Sequence, residues 1–341
     1  MRKDFVAGLV LIIFASGGGR IVAPAGAQMD AGMGATATAY ADLKRIDAQV
    51  DKAVFRLTVA NAPLCNELVW RIGAVLTDIR QFPPAQRELV SAAFALDGEI
   101  GVETVEPEGP AWQAGLQDGD EMLAINGRRI ADALAGNSFP VVTANRVKVV
   151  QSMIDQSASG AIDIEYRRHG VEYRTRIFAK RGCASSILVS SKSSKAASAD
   201  GNSILISTGL VRLADKNDDL AVVLAHELAH NILHHRARLD KAGVDRGLGR
   251  MFGKSGRMIR ETEEEADRLS LYLLANAGYD MSSAPAFWLG PARHLDGGLL
   301  SDGTHPCPKC RAKLMEAEIA KIEQMPKGAI RRPADLPLDQ P

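Results

Sequence analysis

Two histidines and a glutamate sit inside an apolar run where ionisable groups are expensive. The run is Leu220 to Leu233, L-A-V-V-L-A-H-E-L-A-H-N-I-L, and ten of its fourteen residues are apolar. They occupy nearly every face, so the pattern predicts a buried helix. Ionisable groups in such a core must be paired or bound to a metal. His226 and His230 are four apart and project from one face, as two ligands of one ion would. Glu227 lies about 100° further round, taking 3.6 residues per turn, and so sits beside that ion. His-Glu-x-x-His therefore predicts one Zn²⁺ per chain, held by neutral imidazoles with a position left open for water. Such a water has a pKa of about 7. Glu227 is placed to take its proton and return it to the leaving amine of a cleaved peptide bond.

Three candidates arise for the third ligand. The metzincin spacing needs Gly at 233 and His at 236; Leu233 and Arg236 exclude it. His234 lies four beyond His230 but reads as a cation fronting a helix C-terminus. The third is the acidic cluster Glu261-Thr-Glu-Glu-Glu-Ala-Asp267. The helix that follows buries Ala266, Leu269, Leu273 and Ala277, and stepping back three from Ala266 puts Glu263 on that inward face. Asp267 shares the face and can accept the N–H of a ligating histidine. Glu261, Glu264 and Glu265 read as a solvated helix start, with Thr262 and Glu265 fitting a capping box. His305, before Pro306, is a candidate donor to an oxyanion across the cleft. His169 and His294 read as surface residues.

The elements that must position these groups follow from apolar spacing. Leu43, Ile46, Val50, Val54 and Leu57 predict an amphipathic helix from Ala39 to Leu57. A second helix is expected over Glu67–Ile79, broken by Phe82-Pro83-Pro84. From Ile100 the period becomes two. Strands are expected at Ile100–Val105, Asp120–Gly127, Ile162–Arg167 and Glu172–Phe178, with a short helix stopped at Gly115 and a longer one at Asn145–Ile154. Beyond residue 184 the pattern gives a strand at Ile204–Thr208. Helices follow at Asp219–Arg238, Arg257–Asn276 and Pro308–Gln324. The class expected is α+β: a mostly helical domain with a small edge sheet, plus a β-rich domain.

Composition narrows the partners. The 341 residues carry 41 Lys+Arg against 41 Asp+Glu and only 5% aromatics, which argues against nucleic-acid binding. Residues 1–27 read as a secretory signal: Arg2 and Lys3, an apolar run from Phe5 to Ala15, and a cleavage site at Ala25-Gly26-Ala27. Export to the periplasm follows, and no later segment reaches a spanning length. Removing residues 1–27 leaves 38 basic and 40 acidic residues, still no field for a charged partner. In that compartment a Cys65–Cys183 bridge is expected. Cys307 and Cys310, in C-P-K-C, fit either a small disulfide or two free thiols.

"EGPAWQAGLQDGDEMLAINGRRI" at residues 108–130 resembles a PDZ domain of the HtrA-type proteases, covering about residues 96–181. That resemblance implies capture of a chain terminus or unfolded segment by strand addition, with Ile100, Gly101 and Val102 in the ligand loop. "DDLAVVLAHELAHNILHH", "EEEAD", "ISTGL", "YDMSSAPAFW" and "THPCPKCR" together resemble the gluzincin peptidases that include HtpX-like and CAAX prenyl proteases, over residues 184–325. The resemblance implies a zinc endopeptidase acting on envelope proteins, with His226, His230 and Glu263 as ligands and Glu227 as base. It also implies a cleft rim at Ile204–Thr208. The missing transmembrane helices match the soluble periplasmic branch. Residues 28–95 are expected as a flexible leader and helical region, the PDZ domain as an insertion after the first helix, and 326–341 as a disordered tail. The other reading is a non-enzymatic PDZ adaptor that keeps a structural zinc.

Overall fold

Apolar residues recurring at two different periods divide this chain between a sheet and a set of packed helices. The computed structural model describes residues 37–135, 145–214, 216–244, 253–293, 307–326 and 328–338. It forms two compact units, neither continuous in sequence. One takes residues up to Ala48, Ile72–Ala179 and Leu188–Ser191; the other takes Gln49–Arg71, Lys180–Ile187 and residues from Lys192 onward. The class is α+β. Among the described residues no helix is long and apolar enough to cross a membrane.

In the first unit β2 (Ala74–Asp78), β3 (Ile100–Val105), β4 (Glu121–Ile125), β6 (Ala161–Arg168) and β7 (Val171–Phe178) form an antiparallel sheet. Its order is β2-β3-β4-β6-β7, and β5 (Arg128–Arg129) pairs with β4. Asn126-Gly127 and His169-Gly170 turn the β4–β5 and β6–β7 hairpins, each residue with φ between 50° and 78°. α3 (Pro110–Gln113) packs on β7, and α5 (Asn145–Asp155) packs on β2, β4 and α4 (Ile130–Leu134). Tyr40 meets Phe82 and Phe94 edge-to-face, tying the start of α1 (Ala37–Ala60) to α2 (Arg87–Phe94).

Two expectations fail here. The helix over Glu67–Ile79 is replaced by β1 (Leu68–Arg71) and β2, with Gly73 at φ 70° between them. Val69, Trp70, Ile72 and Val75 favour extended backbone, and the left-handed glycine ends any helical register. The sheet thus begins well before the expected boundary at residue 96. The expected ligand segment, Ile100, Gly101 and Val102, is buried between neighbours: Gly101 pairs with Thr77 on β2 and with Glu121 on β4. A strand with both sides taken cannot accept another. The terminal strands are β2 and β7.

In the second unit β1 pairs antiparallel with β8 (Lys180–Cys183), and the Cys65–Cys183 disulfide closes a 118-residue separation beside it. Arg71, buried there, donates through Nη2 to the carbonyls of Cys183 (2.6 Å) and Ser185 (2.8 Å). The second half of α1 belongs to this unit: Arg56 donates to Ala277 O, and Asn61 donates to Leu273 O. A three-stranded sheet has the order β10-β11-β9; β10 (Ala197–Ala199) and β11 (Ser203–Ser207) lie in this unit, whereas β9 (Ser186–Ser190) begins in it and ends in the first. The strand expected as the cleft rim, now β11, is therefore interior. β10 and β9 are the terminal strands, and β10 packs against α7 (Asn217–Ile232).

α6 (Thr208–Leu213) follows β11, its first turn capped by Ser207 Oγ, which accepts from Leu210 N–H. The helix expected over Asp219–Arg238 is broken at His234, whose φ of 51° separates α7 from α8 (His235–Lys241). α9 (Gly253–Asn276) packs along α7, and α10 (Ser283–Leu289) and α11 (Pro308–Glu323) complete the layer. Because α9 starts at Gly253, the acidic cluster lies mid-helix. Thr262 Oγ1 donates to Ile259 O instead of capping. The expected disordered tail is anchored over its described part. Arg331 N–H donates to Asn276 Oδ1, Arg268 pairs with Asp335, and Leu338 is buried. Cys307 and Cys310 are disulfide-bonded at the start of α11.

Candidate metal centre

α7 and α9 bring His226, His230 and Glu263 to one point. His226 Nε2 lies 3.2 Å from His230 Nε2 and 3.3 Å from Glu263 Oε2; His230 Nε2 lies 3.6 Å from Glu263 Oε1. Two bonds of about 2.0 Å at a tetrahedral angle span about 3.3 Å, so the triangle has the dimensions of one face of a zinc tetrahedron. Two imidazoles and a carboxylate are the donor set of one class of catalytic zinc site, in which water takes the fourth position. These residues fit Zn²⁺. Glu227 is half-buried beside His226 on α7.

Behind His226 stands a charged pair. His226 Nδ1 lies 3.0 Å from Asp267 Oδ1, and Arg311 of α11 grips both carboxylate oxygens of Asp267, at 2.5 and 2.8 Å. The Arg311 guanidinium also lies 3.5 Å from the Trp288 ring centroid. Burial opposes a charged His226, but the carboxylates of Asp267 and Glu263 outweigh it and push the imidazole up to about 10 before any metal is bound. Burial likewise opposes a charged Asp267, yet Arg311 and His226 hold it down to about 2. A metal ligand must be a neutral imidazole, so metal binding here displaces a proton.

Behind His230 stands a different group. His235 Nδ1 lies 2.8 Å from His230 Nδ1, and His235 Nε2 lies 2.9 Å from Glu265 Oε2. Arg238 donates to both Glu265 oxygens, at 2.5 and 3.2 Å. Burial pushes His235 down to about 4. Glu265 is held at about 2, against burial, by its bonds from His235 and Arg238.

Asn231, one residue beyond His230, ties α7 to the strands. Its Oδ1 accepts from Gly201 N–H at 2.8 Å in the β10–β11 turn, and its Nδ2 donates to Ser185 Oγ at 2.8 Å. His169 is exposed at its hairpin turn. His294 and His305 lie outside the described residues.

Sequence reasoning missed His235, Glu265, Arg238 and the grip of Arg311. Helical spacing drew attention to His234, four beyond His230, but the left-handed turn there ends α7 and swings His235 back to the site. Glu265 was expected in solvent because the cluster read as a helix start; in mid-helix it meets α8. Arg311 stood inside a quoted motif with no signal of its partner, 44 residues away.

The peptidase family M48 profile matches residues 186–246, which span the motif helix, and a PDZ profile matches residues 101–135. The chain carries a PDZ domain and an M48 peptidase domain. The chain is similar to the mitochondrial metalloendopeptidase OMA1 of Schizosaccharomyces pombe, 28% identical over 153 residues, covering 39% of this chain and 44% of that protein. It is also similar to the beta-barrel assembly-enhancing protease of Escherichia coli K12, 27% identical over 142 residues, covering 33% of this chain and 29% of that protein. The match thus spans less than half of either M48 relative. The crystallised HtrA3 PDZ domain, bound to a phage-derived ligand, is 20% identical with a TM-score of 0.23, covering 34% of this chain and 89% of that one.

Proposed function

We propose that this protein is an exported zinc endopeptidase that hydrolyses peptide bonds in misfolded or specific proteins of the bacterial periplasm. The observation that carries the reading is the triangle of His226, His230 and Glu263 ligand atoms, 3.2 to 3.6 Å apart, with Glu227 beside it on the same helix. When bound, Zn²⁺ supplies a Lewis acid that polarises the scissile carbonyl and acidifies water at the open position. Glu227 takes the proton of the attacking water and delivers it to the leaving amine. β10 offers a terminal strand against α7 along which an extended substrate adds, and Asn231 holds the β10–β11 turn to the metal helix. His305 is the proposed oxyanion donor.

The PDZ domain recruits chain termini or unfolded segments, and strand addition there needs a sheet edge. β7 is long and lined with exposed Glu172, Arg174 and Arg176, the marks of a protected edge. β2, beginning just after Gly73 and flanked by α5, is the proposed peptide edge. The relatives' names support the reading in two ways: a metalloendopeptidase supports proteolysis, and a protease that enhances β-barrel assembly supports an envelope role.

The test compares zinc content and cleavage of an unfolded protein for the wild type and Glu227→Gln. One zinc per chain is expected in both, with cleavage falling about 10²- to 10⁴-fold in the variant. Zinc in both and cleavage in neither would replace this reading with a PDZ adaptor that keeps structural zinc.

A further inference from the structure

The His235–Glu265–Arg238 chain has no part in the mechanism above, yet it ends on a metal ligand. Two Nδ1 atoms 2.8 Å apart need one donor and one acceptor. If His230 gives its Nε2 lone pair to a metal, its Nδ1 must carry hydrogen. His235 Nδ1 must then accept, which leaves the His235 proton on Nε2, aimed at Glu265 Oε2 at 2.9 Å. Arg238 completes the chain by holding both Glu265 oxygens. Each hydrogen in the row has one place, and that place turns the His230 ring toward Glu263 and His226.

We propose that His235 is a positioning residue for His230, fixing its Nδ1–H tautomer and ring orientation for metal binding, with Glu265 and Arg238 fixing His235 in turn. This rests on the metal-site reading above. The device also separates charge. Asp267 already stands directly behind His226, and Glu263 completes the ligand triangle. A further carboxylate directly behind His230 would neutralise more of the ion's charge and weaken its effect on bound water. A neutral ring between His230 and Glu265 gives orientation without that cost, and Arg238 offsets the Glu265 charge beyond it.

The test measures zinc dissociation constants by chelator competition in a Glu227→Gln background, so that no cleavage is needed. His235→Leu removes the acceptor while keeping bulk. His235→Gln offers an amide oxygen to His230 and an amide N–H to Glu265. Outer-shell partners of metal ligands are worth about 10- to 100-fold in affinity. His235→Leu is expected to raise the zinc dissociation constant by that factor, and His235→Gln to recover most of it. In ¹⁵N spectra of the zinc-loaded protein, a slowly exchanging His230 Nδ1–H resonance is expected in the parent and His235→Gln, and its loss in His235→Leu. Should His235→Leu fail to fold, Glu265→Gln with the same resonance decides. Affinities within threefold of the parent in both His235 variants, or His230 protonated at Nε2 in the zinc-loaded protein, would overturn the proposal. A parent that binds no zinc would instead overturn the metal-site reading itself.

Discussion

His226 and His230 stand one turn apart on one helix, yet the protein supports them by opposite means. Behind His226 is a buried ion pair, with Asp267 and Arg311 each about 1% exposed or less at the side chain. Its parts come from α9 and α11, far apart in sequence. Behind His230 is an imidazole only five residues away, backed by Glu265 and by Arg238, whose side chain is 37% exposed. The first support uses fixed charge and long-range packing; the second uses a local turn and an aligned row of hydrogens. The difference separates two tasks. Asp267 makes its imidazole basic, whereas His235 offers its imidazole a hydrogen-bond partner in place of a carboxylate.

The charged support has the most to lose. Breaking a buried ion pair by removing one partner costs about 3–5 kcal/mol, because the other charge is left in the core. Arg311→Met should lower the unfolding free energy of the zinc-free protein by that order, read by urea denaturation. Adding Asp267→Asn should recover part of the loss. If Arg311→Met costs no more than Glu265→Gln, the contrast between the two supports fails.

Much of this was legible in the sequence, and the limits are physical. His226, Glu227 and His230 announced themselves because ionisable groups in an apolar helix need a reason. Glu263 followed from the inward face of α9 through Ala266 and Leu269, both fully buried. The strands from Ile100 onward followed from alternation and from the Asn126-Gly127 and His169-Gly170 turns. Periodicity reports which face is buried but not which neighbour a strand takes. So Ile100–Val102 reads as a ligand loop and β11 as the cleft rim, when both segments lie in strands flanked on each side by another. Nor does it report where a helix stops without Gly or Pro. The break at His234, which brings His235 to His230, therefore stayed hidden.

Proton linkage sharpens the contrast next. With no metal, the carboxylates around His226 keep it protonated up to about pH 10. Zinc must displace that proton, so apparent affinity should rise about tenfold per pH unit between pH 7 and 9 from this group alone. Calorimetry in buffers of differing ionisation heat should count about one proton released from His226. Asp267→Asn should reduce that count, and His235→Gln should leave it unchanged. Equal proton release in the two variants would mean that the supports do not differ in kind.

The smallest effect lies at the outer end of the neutral support. Glu265 has its folded pKa lowered from 4.5 to about 2, so its ionic bonds add stability that is fully present above about pH 4.5 and lost as pH falls toward 2. His235 is a base with its folded pKa lowered from 6.5 to about 4, so the unfolded chain takes up the proton first and stability drains between pH 6.5 and 4. Because Arg238 is partly in solvent, Glu265→Gln should cost only about 1 kcal/mol at pH 7. That deficit should persist to about pH 5 and shrink strongly by pH 2.5, where the unfolded chain has taken up the Glu265 proton and most of the carboxylate's contribution is lost, although the folded protein still holds it largely ionised. Urea denaturation of the zinc-free proteins at pH 7, 5 and 2.5 reads this directly. A deficit that stayed constant to pH 2.5 would show that Glu265 contributes shape rather than charge, and that the support behind His230 is neutral throughout.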